Sequence, residues 1–299
     1  MSKLKKLINE PLMGYYFINS KLDRTRFFKA YFDLNRNNGI KSKYFLISFD
    51  CDTEKDADAA VVIHNRLKGM GVRSVFAVPG ELIIKSHEKY KKIALDGGEF
   101  INHGYRIHTE WDNASNQYES TFFYDKTTKE AVKEDIVKGD KVIREILGLL
   151  PKGFRTPHFG TYQRRNELRY LHRVLRELNY SFSTSTVPYF GFRYGMAFNR
   201  FGITEIPVSG MWSEPLRILD SYSFYYTNFK NYNEDDYLRE AGMIADVYSK
   251  PDACGLLNYY ADPSHVFNKE SFYDVVALFA ETAKSVSFET LLSEIGDGR

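Results

Sequence analysis

Short apolar runs alternate with longer stretches of helical periodicity along almost the whole chain, and this alternation constrains the fold more than any other feature of the sequence. The runs Tyr44–Phe49, Val72–Val78, Glu99–Asn102, Gly153–Arg155, Ser181–Ser183, Glu205–Val208, Gly255–Tyr260 and Ser285–Phe288 read as short buried strands. Helical patterns lie between them at about 54–70, 82–95, 127–149, 164–178, 234–249 and 269–283. In the third, Val132, Ile136, Val137, Ile143, Ile146 and Leu147 recur at helical spacing with charges on the other face, and Gly71 ends the first like a C-cap. Strands that alternate with helices of this length build βα units with parallel strands. Seven or eight units in about 260 residues predict an α/β barrel of the (β/α) type, complete or incomplete, with a doubly wound open sheet as the other arrangement. Residues 1–40 precede the first strand and are rich in Tyr and Phe, so they are expected to form an extension packed on a barrel spanning 41–299.

Composition narrows the function classes. Lys plus Arg is 41 and Asp plus Glu is 39, a formal charge of +2, which lacks the basic excess of a nucleic-acid-binding chain. An aromatic content of 16% argues against disorder. No run of about 18 apolar residues offers a transmembrane helix. Two cysteines, Cys51 and Cys254, exclude a disulfide framework and suit a reducing compartment. Glu10, Pro11 and Gly14 interrupt what would be the apolar region of a signal peptide, so the expected location is cytoplasmic. Lys3, Lys5 and Lys6, interleaved with Leu4, Leu7 and Ile8, read as a solvated basic tail or as a peripheral contact with an anionic membrane.

In α/β barrels the functional groups sit at the C-terminal ends of the strands. Here the first strand is followed by Asp50 and Asp52, the third by His103 and His108, the fourth by Arg155 and His158, and the seventh by Asp262 and His265. Four strand ends thus hold ionisable groups, including four of the seven histidines. If the strand continues through them, its period of two puts Asp50 and Asp52 on one side and Cys51 on the other. Two carboxylates so close need a cation or a shared proton, unless they merely open the next helix. Two imidazoles with one carboxylate make an open zinc site, although His103 and His108 need a loop to bring their rings together. Arg155 beside carboxylates would hold one of them ionised and oriented, or form an ordinary ion pair. Tyr105 and Trp111 suit either a sugar face or the core, and the aromatic, glycine-containing stretch 187–203 reads as a substrate loop in preference to a buried crossover.

In this order the motifs SFDCDTE (48–54), EFINHGYRIHTEW (99–111), GFRTPHFG (153–160), TEIPVSG (204–210) and SVSFETLLSEI (285–295) resemble those of the polysaccharide deacetylases, the NodB-homology domain of carbohydrate esterase family 4. The resemblance covers about 43–295 and implies a distorted (β/α)7-type catalytic barrel that removes acetyl groups from N- or O-acetylated sugars with the help of a metal, most often zinc, other divalent transition metals being compatible. It implies Asp50 as general base, Asp52, His103 and His108 as metal ligands, Arg155 as the partner of Asp50, and the His158 backbone N–H as the oxyanion donor. The sequence departs from the family pattern in four places. Cys51 separates the two aspartates; four residues, not three, part the histidines; Ser183 and Ser185 stand where an Asp often sits; and Asp262 aligns with the expected histidine acid. Asp262, His265 and His158 are therefore the candidates for the acid.

The leading expectation is a zinc-dependent sugar deacetylase acting in the cytoplasm on a nucleotide- or lipid-linked sugar during assembly of a surface polysaccharide. Arg106, Arg164 and Arg165 are candidates for holding a phosphate, or surface charges. Two alternatives stand beside it: hydrolysis of another C–N bond, such as a formamide or cyclic ureide, and a sugar-binding homologue of little or no activity that lacks the usual histidine acid.

Overall fold

The structure is a computed structural model that describes residues 11–114, 117–227 and 229–296. The basic residues Lys3, Lys5 and Lys6 lie outside the described residues. Two helices, α1 (Pro11–Leu22) and α2 (Arg24–Asn37), precede the first strand. The barrel then runs β1 (Lys43–Asp50), α3 (Glu54–Gly69), β2 (Ser74–Val78), α4 (Gly80–Lys85), α5 (His87–Leu95) and β3 (Glu99–Asn102). A two-stranded hairpin, β4 (Thr109–Asp112) with β5 (Gln117–Ser120), and helix α6 (Lys129–Val142) lead to β6 (Gly153–Phe154). Next come α7 (Arg165–Glu177), β7 (Phe182–Ser183), α8 (Pro188–Tyr194), β8 (Phe198–Arg200) and β9 (Ile203–Glu205). The chain closes with α9 (Glu234–Tyr248), β10 (Gly255–Ala261), α10 (Pro263–Val266), α11 (Glu270–Thr282), β11 (Lys284–Ser285) and α12 (Phe288–Gly296).

Seven strands run parallel in the order β10-β1-β2-β3-β6-β7-β9. This is the seven-stranded distorted barrel that the motifs imply. β8 folds back antiparallel on β9, and β11 pairs with the start of β1. The backbone beyond β9 brings the curl round: Ile206 N donates to Ser183 O, Val208 N to Thr186 O, and Ser209 N to Asn258 O on β10 at 2.7 Å. In β1 the period of two divides the labour. Phe45 and Phe49 face the outer helices, against Phe279 and Phe272 of α11, whereas Ser48 and Asp50 turn inward to meet Arg155.

Most predicted strands and helices recur, but the strand expected at Glu205–Val208 lies at Ile203–Glu205, and the one expected at Ser285–Phe288 is Lys284–Ser285, with Phe288 opening α12. Three further differences have a local origin. The pattern at 82–95 breaks at Ser86, whose φ of −121° and ψ of 33° are not helical. The pattern at 127–149 finishes in a wider turn, Ile143–Leu147, closed by Gly148 at φ +69°. The stretch 187–203 is not a substrate loop. It forms α8 and β8 and is clamped by the N-terminal helices, with the Phe192 ring 4.4 Å from Phe27 and 5.4 Å from Phe28. Asn35 Oδ1 accepts from Met196 N at 2.8 Å. Its aromatics are spent on packing, a use that composition alone does not distinguish from sugar binding.

Candidate active site

The C-terminal strand ends open into a cleft of about 950 Å³ lined by Asp50, Asp52, His103, His108, His158, Asp262 and His265. The catalytic and metal-ligand candidates read from the sequence therefore meet in one place except Arg155, which lies completely buried beneath its floor, whereas Tyr105, Arg106, Arg164 and Arg165 do not line the cleft.

Arg155 organises the floor twice over. Its Nη1 donates to Asp50 Oδ1 at 2.6 Å and its Nη2 to Ser48 Oγ at 2.7 Å, while Phe159 and Tyr260 lie over the guanidinium. Its carbonyl oxygen accepts from His103 Nδ1 at 2.8 Å. A carbonyl can only accept, so the His103 proton is fixed on Nδ1 and the Nε2 lone pair is free to face Asp52. Burial pushes Asp50 up to about 7 against the pull of Arg155, and the neighbouring Asp52 adds to the rise.

Asp52, His103 and His108 place one ligand atom each within 4.8 Å of one another. Asp52 Oδ1 is 2.8 Å from His108 Nε2 and 3.8 Å from His103 Nε2. Yet Asp52 Oδ1 is buried without an aligned hydrogen-bond donor among the described residues. Burial lowers His103 to about 3, keeping it neutral. Burial opposes the charge on Asp52, but the His108 and His103 imidazoles hold its carboxyl well below its usual range; burial likewise opposes the charge on His108, and Asp52 raises it. A buried carboxylate oxygen without an aligned donor, facing a neutral imidazole with a fixed tautomer, would suit a divalent cation held by Asp52, His103 and His108. The nitrogen and oxygen donor set suits a transition metal.

The four-residue spacer between the histidines is accommodated by a tied loop. Gly104 has φ +84°, and a Cβ there would lie 2.1 Å from Asp135 Oδ2. Asn102 Oδ1 accepts from Gly104 N, Asp135 Oδ1 from Arg106 N, and Glu81 Oε2 from Ile107 N. Thr121 N on the far side of the hairpin donates to His108 O at 2.7 Å.

The other wall carries the acid candidates. His265 Nδ1 is 3.0 Å from Asp262 Oδ2, and Ser221 Oγ bonds the same carboxylate at 3.1 Å. Tyr226 stacks on the His265 ring at 4.4 Å. Burial would lower the His265 pKa, but Asp262 outweighs it and the net direction is up. With Nδ1 turned to the carboxylate, Nε2 is left for the cleft. His158 is engaged differently, its Nε2 donating to Thr121 O at 2.8 Å. Its φ is +59°, rare for a side chain other than glycine, and its backbone N–H makes no hydrogen bond among the described residues. Ser183 and Ser185 bond to each other, and Ser185 Oγ accepts from Thr156 N at 2.9 Å, so they hold the turn after Arg155.

Two features escaped the sequence reading. Asp56 accepts from Asp52 N, Thr53 N and Thr53 Oγ1 through one oxygen and from Ser264 N through the other, tying the metal side of the cleft to the acid side. Thr53 and Asp56 spell a capping box, which was there to be read. The β4–β5 hairpin carries Trp111 and Tyr118 to the cleft, opposite Tyr222 and Tyr226; the polar turn between two short alternating runs was its signal.

A carboxylate and two imidazoles that could hold a metal, beside a carboxylate held by a buried arginine, suit a hydrolase-type centre at the C-terminal mouth of a barrel. The polysaccharide deacetylase family model matches residues 37–181 of the chain. A Mycobacterium smegmatis protein described as a polysaccharide deacetylase has the same fold, with TM-score 0.65, 15% identity, and coverage of 86% of this chain and 91% of that one. Further similar structures include a family 4 carbohydrate esterase from Streptomyces lividans in complex with acetate (TM-score 0.45, 13% identity, 87% and 91% covered). A family 4 pseudoenzyme from Bacillus anthracis is also similar (TM-score 0.49, 11% identity, 81% and 62% covered). No curated protein matches the chain.

Proposed function

We propose that this chain is a zinc-dependent deacetylase that hydrolyses the acetyl group of an N- or O-acetylated sugar, working in the cytoplasm on a nucleotide- or lipid-linked intermediate of a surface polysaccharide. The observation that carries the reading is the double role of Arg155. Its side chain aims Asp50 while its carbonyl fixes the tautomer of His103, so a candidate base and a candidate metal ligand are set in register by one buried residue. When bound by Asp52, His103 and His108, a divalent ion supplies Lewis acidity and a water of lowered pKa.

The protein groups then have separable tasks. Asp50 takes the proton of the attacking water, and Arg155 keeps its carboxylate aimed. The His158 N–H donates to the oxyanion that develops on the acetyl carbonyl. His265 gives the proton from Nε2 to the departing nitrogen or oxygen, while Asp262 holds its Nδ1. The Asp262–His265 pair supplies the acid that the aligned position lacks, which favours an enzyme over a sugar-binding homologue. Trp111, Tyr222 and Tyr226 offer exposed ring faces to a sugar.

The test is acetate release from a panel of N- and O-acetylated sugars, free and nucleotide-linked, by protein loaded with zinc, with formamide and cyclic ureide substrates alongside. Acetate release that disappears in Asp52→Ala together with bound zinc supports the reading. Turnover of the formamide or ureide alone replaces the substrate class, and no zinc retained after washing removes the mechanism.

A further inference from the structure

Helices α1 and α7, which pack on the same apolar cluster, each present an exposed surface that a water-facing protein has no use for. Helix α1 is apolar nearly all round. Met13 and Tyr16 pack inward on the cluster that contains Tyr189 and Phe190, the Tyr16 ring lying 5.5 Å from Tyr189 of α8. The other side is uncovered: Leu12 is 49% exposed, Tyr15 62%, Ile18 58% and Leu22 78%. At spacings of three and four these four side chains form one stripe. Isolated apolar residues on a surface are ordinary, but a contiguous stripe of large ones marks a contact.

Helix α7 packs its Leu168, Leu171 and Leu175 into the same cluster. Its outer face carries Arg165, Arg169, Arg173 and Arg176, all exposed and spaced at four, four and three. Among the described residues none of these four forms an ion pair; the nearby acids Glu167 and Glu177 pair with Arg164 and Lys133 instead. Packing links the two helices through α8, since Arg169 lies over Phe201, Arg200 lies over Phe201 and Phe190, and Tyr189 of α8 meets the inward-facing Tyr16 of α1.

We propose that these two surfaces dock on an anionic lipid bilayer, the α1 stripe entering the boundary between headgroups and acyl chains and the α7 arginines lying on lipid phosphates. An arginine row alone would suit any polyanion, and an apolar stripe alone would suit a second copy of the chain. Their combination matches a surface that is anionic outside and apolar within. No helix among the described residues is long and apolar enough to cross a membrane, so the attachment is peripheral.

The test is co-sedimentation of the full chain with phosphatidylcholine vesicles and with vesicles containing about one third phosphatidylglycerol. Sedimentation velocity reports oligomeric state, and circular dichroism reports folding. The expected result is binding to the anionic vesicles only, weakened by salt. Ile18→Glu/Leu22→Glu is expected to lower partitioning at least about tenfold, and Arg169→Glu/Arg173→Glu by about 30-fold or more, at roughly five-fold per charge near the surface, both variants remaining folded. No binding of folded wild type, binding that neither variant weakens, equal binding to neutral vesicles, or a dimer dissolved by Ile18→Glu/Leu22→Glu would overturn it. Since the readout is binding, its failure is distinct from failure of the deacetylase reading.

Discussion

A buried carboxylate two positions from another is costly to ionise, and here each has its own partner that opposes the cost. Asp50 has the Arg155 guanidinium, and Asp52 has two imidazoles and room for a cation. Asp50→Asn keeps the shape and removes the base, so kcat is expected to fall by about 10²–10⁴-fold while zinc content by elemental analysis stays unchanged. His265→Gln is expected to slow release of a poor leaving group, such as a sugar amine, by about 10²-fold. An aryl acetate, whose leaving group needs no proton, should be almost unaffected; equal losses on both substrates would sink the acid assignment. These groups were legible in the sequence because strand ends are where a barrel exposes chemistry, and each strand end was marked by an apolar run. The choice among Asp262, His265 and His158 was not, since it depends on hydrogen bonds made by Ser221 and by the Thr121 carbonyl, both distant in sequence.

Helices and strands were legible wherever periodicity ran long, as at α3, α7, α9 and α11, and blurred where a single residue cut the pattern, as Ser86 does between α4 and α5. The hairpin β4–β5 and the helix α8 were missed because few residues write each of them and their aromatics fit several uses. Two elements give checks of their own. At the head of α3, Asp56 accepts from the Asp52 segment and from the Ser264 turn. Asp56→Ala leaves these donors unpaired and is expected to cost about 1–3 kcal/mol of stability in denaturant unfolding, with activity falling further than stability as the two walls separate. At the head of α12, Glu99 Oε2 accepts from Phe288 N at 3.1 Å, and burial raises its pKa to about 7. The folded state therefore holds a proton that the unfolded chain gives up near its ordinary value. The stability this contributes is complete below about pH 4.5 and is lost as pH rises through about 7. Wild type is expected to lose about 1–2 kcal/mol between pH 5 and 8 relative to Glu99→Gln; parallel pH profiles would refute the assignment.

At the scale of the molecule, the centre is assembled from strands that meet only after folding, so a metal bound there as proposed would be linked to stability. Zinc at a hundred times its dissociation constant adds about 2.7 kcal/mol. In a chain of this size that raises Tm by several degrees, at roughly 2–4 °C for each kcal/mol. Calorimetry should find that rise in wild type and none in Asp52→Ala. The seven-stranded closure was foreseeable from alternation and motif order, whereas the bond from Ser209 N to Asn258 O that draws the last strands together was not, because no local pattern encodes a contact across the ring. Arg155 has the widest reach of all. Because it grips Asp50 with its side chain and His103 with its main chain, the two cannot be tuned independently by changing that side chain alone: Arg155→Met would release the carboxylate yet leave the imidazole anchored. Whoever re-engineers this barrel on the proposed reading would thus have a substitution aimed at the base that leaves the imidazole of the candidate metal site in place, and with it a route from a catalyst to a sensor built on the same frame.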